Sequence, residues 1–153
     1  MKKIVVIIFM IFPLLTFGAT IRAGLEGPAI LGATFETDGG LYISLGASPP
    51  LSIFGSGGPW SYSATAGYAH TITLSTGKKI NFFTVPRIGV SFIKPDNLYI
   101  GVIPGIIGAI GWNANPAFTI GLQAGVNICL LLEINSMEPN LVPTGQFGIF
   151  TTF

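Results

Sequence analysis

The chain has 153 residues, of which 7 are Lys or Arg and 6 Asp or Glu, so its formal net charge is +1 and only 8% of it is charged. An exported soluble domain carries about a quarter charged residues and a nucleic-acid binder needs a basic face; the composition argues against the first and excludes the second. A mean hydropathy of +0.70 and a lone cysteine, Cys129, point to an apolar setting with no internal disulfide.

The first predicted element is a processing signal. Met1-Lys2-Lys3 is a basic n-region, 4–15 an apolar h-region, and Thr16-Phe17-Gly18-Ala19 a small-residue exit. The apolar run is too short for a spanning helix, and Pro13 argues against a retained anchor. Cleavage is expected after Gly18 or Ala19, removing residues 1–19 as a signal peptide and leaving 20–153 as one domain.

Turn chemistry then divides the rest. Gly27-Pro28, Asp38-Gly39-Gly40, Ser75-Thr76-Gly77-Lys78, Lys94-Pro95-Asp96-Asn97 and Asn113-Ala114-Asn115-Pro116 are turn-forming clusters. Longer connections occupy 48–60 and 135–143. The strands expected between them are 20–26, 29–37, 41–47, 61–75, 79–93, 98–112, 117–134 and 144–153.

Within 117–134 the even positions, from Phe118 and Ile120 to Leu132 and Ile134, are apolar or small. The odd ones include Thr119, Gln123, Asn127 and Glu133. A strand sends successive side chains to opposite faces, so the segment has one apolar and one polar face. The other strands sort the same way, with Arg22, Glu26, Glu36, Arg87 and Gln146 on the polar face and His70 on the apolar one.

Little sequence remains to cover the apolar faces, and several strands exceed the usual length of soluble ones. The fold expected is all-β: a closed antiparallel transmembrane β-barrel of about eight strands, an up-and-down meander with polar interior and apolar exterior. An even count places both termini on the periplasmic side, with the longer loops outside. A single strand over 21–36 would make the count odd and break this scheme. The competing reading is a helical hairpin over 98–112 and 117–134, with Gly101-x-x-x-Gly105 as a packing motif. Its first segment, about fifteen residues, falls short of the roughly twenty that a spanning helix needs.

The last strand, Gln146-Phe147-Gly148-Ile149-Phe150-Thr151-Thr152-Phe153, resembles the C-terminal assembly signal of bacterial outer-membrane barrels. Gln146, Gly148 and Phe153 match it, while Thr151 stands where a bulkier apolar residue is usual. The resemblance implies the barrel-assembly machinery as a partner during biogenesis. The domain as a whole resembles the small eight-stranded OmpA- and OmpX-like class, which implies a bacterial outer-membrane location among lipids that include lipopolysaccharide. Such an architecture does not fix an activity.

An eight-stranded barrel is about wide enough for side chains to fill. Arg22, Glu26, Glu36, Arg87, Gln123, Asn127 and Glu133 are therefore expected as a lumen cluster of paired charges and amides, because unpaired buried charges are costly. A plug of this kind fits a structural or membrane-interaction role. The alternatives are a narrow porin-like passive pore with a charged constriction, a subunit of a larger assembly or homo-oligomer, and a lipid-handling barrel. Small inner residues (Gly101, Gly105, Ala109, Gly111, Gly121, Gly125) would leave room for the pore. The lipid reading rests on Pro86 and Pro104, which cannot donate to a ladder in a barrel that offers no edge. With the 94–97 turn setting the register, Arg87 falls opposite Pro104, and one proline interrupts the seam between the two strands.

No catalytic set is evident. His70 lacks the serine two residues on that a resemblance to lipid A deacylase barrels would require, since that place is Ile72. The lipid A acyltransferase barrels place prolines beside lateral openings, but their catalytic His, Asp and Ser are unmatched. No metal cluster or cofactor motif appears, and an enzymatic role is not expected.

Overall fold

A computed structural model describes residues 18–27, 30–49, 60–94, 97–115 and 117–153. Most of the expected signal peptide and the centre of the 48–60 connection lie outside the described residues.

Nine strand segments follow one another: β1 (Ala19–Glu26), β2 (Leu31–Thr37), β3 (Leu41–Ser48), β4 (Ser61–Ala69), β5 (Ile72–Thr76), β6 (Ile80–Lys94), β7 (Tyr99–Asn115), β8 (Phe118–Glu133) and β9 (Pro139–Thr152). All pairings are antiparallel, and β1 closes on β9 from Thr20 opposite Thr152 to Glu26 opposite Gln146. Both β4 and β5 pair with β6, so together they form one stave of an eight-stave closed meander barrel. The first hairpin is two strands, as the even count requires, and the segments weighed as helices are β7 and β8.

The alternation explains this architecture. In β6 and β9 nearly every second residue is buried, and a flat two-faced strand of this kind gains most by closing into a cylinder, which leaves no unpaired edge. Large apolar side chains such as Leu45, Tyr62, Val126 and Phe147 are exposed on the outside, whereas Arg22, Glu26, Glu36, Arg87, Gln123, Asn127 and Gln146 are at most 9% exposed. The polarity of an ordinary soluble fold is inverted.

The prolines behave differently from expectation. Ile93 pairs with Tyr99, one residue beyond the partner expected from a tight turn, so Arg87 faces Gly105 and Pro104 faces Ile88. The β6–β7 ladder runs without a shift from Ile80 to Ile93 and neither proline interrupts it. Each instead points its missing N–H at an outer neighbour. His70 donates to the Pro86 carbonyl at 2.9 Å, and Pro86 has no N–H to return, which is where the stave parts into β4 and β5. The register is the same on both sides of that gap, so the defect is a missing rung and not a bulge. On the other flank the β7–β8 pairing skips Ile103 and Pro104 and resumes in register at Gly105.

The last connection also differs. β9 begins at Pro139, and the 135–143 loop shrinks to a short turn in which Met137 takes φ 58°. Pro139 and Pro143 fit a strand here because β1 ends at Glu26, opposite Gln146. Their nitrogens face the side on which β1 has already ended.

Candidate functional site

The interior is built in tiers. One ion pair joins β1 to β2: Arg22 Nη2 and Nε donate to Glu36 Oε2 at 2.9 and 3.0 Å, and Nη1 donates to Gln123 Oε1 on β8 at 2.7 Å. The Arg22 guanidinium also lies 5.6 Å from the Phe150 ring centre. The second pair crosses the lumen from β6 to β1: Arg87 Nη1 donates to Glu26 Oε1 at 3.1 Å. Arg87 also donates to Asn127 Oδ1 at 3.3–3.4 Å and to Gln146 Oε1, and it lies over the Tyr42 ring. Thr34 and Ser44 hydroxyls donate to the Glu26 carboxylate at 2.7–2.9 Å.

Both pairs are buried, and each carboxylate has a guanidinium partner. Desolvating such ions costs several kcal/mol apiece, which only close geometry and extra hydrogen bonds offset. The threonine, serine and amide neighbours supply those bonds. Gln146 Nε2 is the buried side-chain polar atom without a partner among the described residues. An apolar waist of Tyr42, Ala69, Val85 and Ile107 packs between the two pairs. Beyond the Arg87 pair, Ile93, Ile103, Cys129 and Leu131 form a second apolar layer.

Of the expected lumen residues, six thus meet in two groups, Arg22 with Glu36 and Gln123, and Arg87 with Glu26 and Asn127. Glu133 lies apart from them at the far rim, where it accepts from Asn97 Nδ2 at 2.7 Å and from the Tyr99 hydroxyl at 3.4 Å. The C-terminal residues occupy three settings. Gln146 belongs to the Arg87 group, and Phe153 sits 5.5 Å from the Phe118 ring. Gly148 faces Gly24 across the closing seam, where an added Cβ would meet the backbone of Ala23 and Gly24.

Neighbouring side chains fill the space at two of the small inner positions. The Asn127 amide lies where a side chain at Gly105 would go, and the Phe150 ring crowds Gly121. Room remains at one end. A cavity of about 430 Å3 opens beside the start of β1 and the end of β9, lined by Arg22, Glu36, Asp38, His70 and Thr71 together with Phe83, Ala109 and Phe150. On the far side of the waist, among the described residues, a pocket of about 10 Å3 lies around Glu26, Tyr42 and Arg87. The cavity was missed from sequence because it opens where β3 has ended and β5 continues; His70, expected on the outer face, is exposed and lines this cavity.

Among the described residues no group of three or more His, Cys, Asp or Glu is placed to hold a metal ion. No protein-family model, curated protein or solved structure matches the chain.

Proposed function

We propose that this barrel is a small integral protein of a bacterial outer membrane, exported by a cleaved signal peptide, with a structural or membrane-interaction role. The observation that carries the reading is the inverted polarity. Large apolar side chains cover the outside while two arginine–carboxylate pairs lie buried within. In water such an exterior would be an aggregation surface; in hydrocarbon it is the required one. The filled waist supports a plug over a porin-like pore, because any solute path would have to displace Tyr42, Val85 and Ile107.

In this reading the barrel-assembly machinery reads the strand ending in Gln146, Gly148 and Phe153, and membrane lipids are the standing partners. Density-gradient fractionation of cells expressing the chain tests the location. Recovery with the outer membrane and heat-modifiable gel mobility are expected, and recovery as a soluble periplasmic protein would overturn it. Planar bilayers test the plug. Silent membranes are expected, whereas conductance abolished by Arg87→Ala would replace the plug with the pore.

A further inference from the structure

The strand that closes the barrel starts against an acid. Gly18 takes φ 55°, and its carbonyl accepts from Asp38 N–H at 3.3 Å. A Cβ at Gly18 would run into both oxygens of the Asp38 side chain, so that carboxylate rests against the Gly18 Cα. Ala19, the first residue of β1, is 1% exposed. It faces Thr37 on β2, and its carbonyl accepts from Phe153 N–H at 3.0 Å. Among the described residues the Ala19 N–H makes no bond back to Phe153.

The other charges at this end of the barrel leave Asp38 unmatched. Arg22 is engaged by Glu36 and Gln123, and His70 is exposed. The Asp38 carboxylate, exposed on the turn between β2 and β3, has no hydrogen-bond or ion-pair partner among the described residues. It is thus pressed against the backbone where cleavage of the signal peptide would create a new charge.

The two expected cuts differ in what they leave. A cut after Ala19 removes a buried residue and takes the acceptor from Phe153 N–H. It also sets Phe17 and Ala19 in the small-x-small frame of such sites, whereas a cut after Gly18 sets Thr16 and Gly18 there.

We propose that the export peptidase cuts between Gly18 and Ala19 and that the α-ammonium so formed pairs with Asp38. Water adds across the bond. Its oxygen goes to the Gly18 carbonyl carbon, which departs as a carboxylate on the signal peptide, and the Ala19 nitrogen ends with three protons. That nitrogen stood two bonds from the Gly18 Cα, and one proton takes the direction of the lost bond, towards the Asp38 carboxylate. A peptide nitrogen carries no charge, so the pair cannot form in the uncut chain. Processing therefore adds a tie between β1 and the β2–β3 turn at the closing seam. With Ala19 buried, the pair is screened less than one on an open surface.

This rests on the cleaved-signal part of the proposed function, and the test separates the two. The full chain is expressed in an export-competent bacterium, purified from membranes and weighed intact. A mass retaining residues 1–17 would defeat the cleaved-signal reading itself. A chain beginning at Ala19 is expected, and one beginning at Thr20 or beyond would overturn the proposal alone. The folded protein is then treated with limiting N-hydroxysuccinimide acetate, with the exposed Lys78 and Lys79 as internal references. Against these, and against its own unfolded state, the α-amine is expected to be acetylated about tenfold more slowly, the scale of a charge-assisted hydrogen bond. Asp38→Asn is expected to speed its acetylation several-fold without moving the lysines, and Asp38→Glu, which keeps the charge, to retain most of the slowing. An α-amine as slow in folded Asp38→Asn protein as in the wild type would overturn the pairing, since burial alone would then protect it. A fully reactive α-amine in the wild type would do the same.

Discussion

Strands β1 to β3 run for 7 or 8 residues each, whereas β6 to β9 run for 14 to 17. The short wall supplies both lumen acids, Glu26 from β1 and Glu36 from β2. The tall wall supplies the amides Gln123, Asn127 and Gln146, and with them Arg87. Each guanidinium touches both walls: Arg22 binds Glu36 and Gln123, and Arg87 binds Glu26 and Asn127. The two walls are thus held together through the lumen as well as around the circumference. The tall wall is left with free height at both ends: at one end β5 extends beyond β3, and at the other lies the second apolar layer of Ile93, Ile103, Cys129 and Leu131.

The largest expected effect comes from cutting a cross-lumen tie at its charge. Arg87→Ala leaves Glu26 buried without its cation and is expected to cost about 3–5 kcal/mol, measured by urea unfolding in lipid vesicles. Gln123→Ala removes an amide tie but no charge, and about 1–3 kcal/mol is expected. If the two losses were equal, the division of labour between acids and amides would be wrong.

The next effect locates the walls in the bilayer. Ile149 lies on the part of β9 that pairs with β1, and Leu141 lies above the end of β1. An arginine at Ile149 is expected to cost about 2–4 kcal/mol and one at Leu141 about 0–1, the depth dependence of a lipid-facing charge. Equal costs would place the top of the tall wall in hydrocarbon. The smallest effect is at the missing rung. Pro86→Ala restores a donor toward His70 but loosens the unfolded chain, so stability is expected to move by less than about 1 kcal/mol. Hydrogen exchange at Thr71 to Ser75 reads the local change, which is expected to be slower exchange in the variant.

Much of this was legible in the sequence. Period-two alternation assigns each residue to a face, and it assigned Arg22, Glu26, Glu36 and Arg87 to the inside together. It carries no information about height along the barrel, which depends on the stagger between staves. Glu133 therefore shares a face with Asn127 yet lies at the rim with Tyr99. Register was misjudged for a related reason: one extra residue in the 94–99 turn moved Arg87 from Pro104 to Gly105. A one-residue change of that kind redirects every rung it sets. The cavity was invisible because it exists where β3 has ended and β5 has not, a difference in length that no single strand displays.

The prolines of β9 have a consequence for the barrel's neighbours. Above Gly145, whose carbonyl accepts from Gly27 N–H, the β1-facing flank of β9 has no partner in β1, and on that flank the N–H positions belong to Pro139, Leu141 and Pro143. Two of those three are therefore without a donor. A stray strand approaching the tall wall from this side would find carbonyls to accept its hydrogen bonds and almost nothing to donate in return. Among the described residues, composition thus guards this edge of the upper rim against unwanted β-addition.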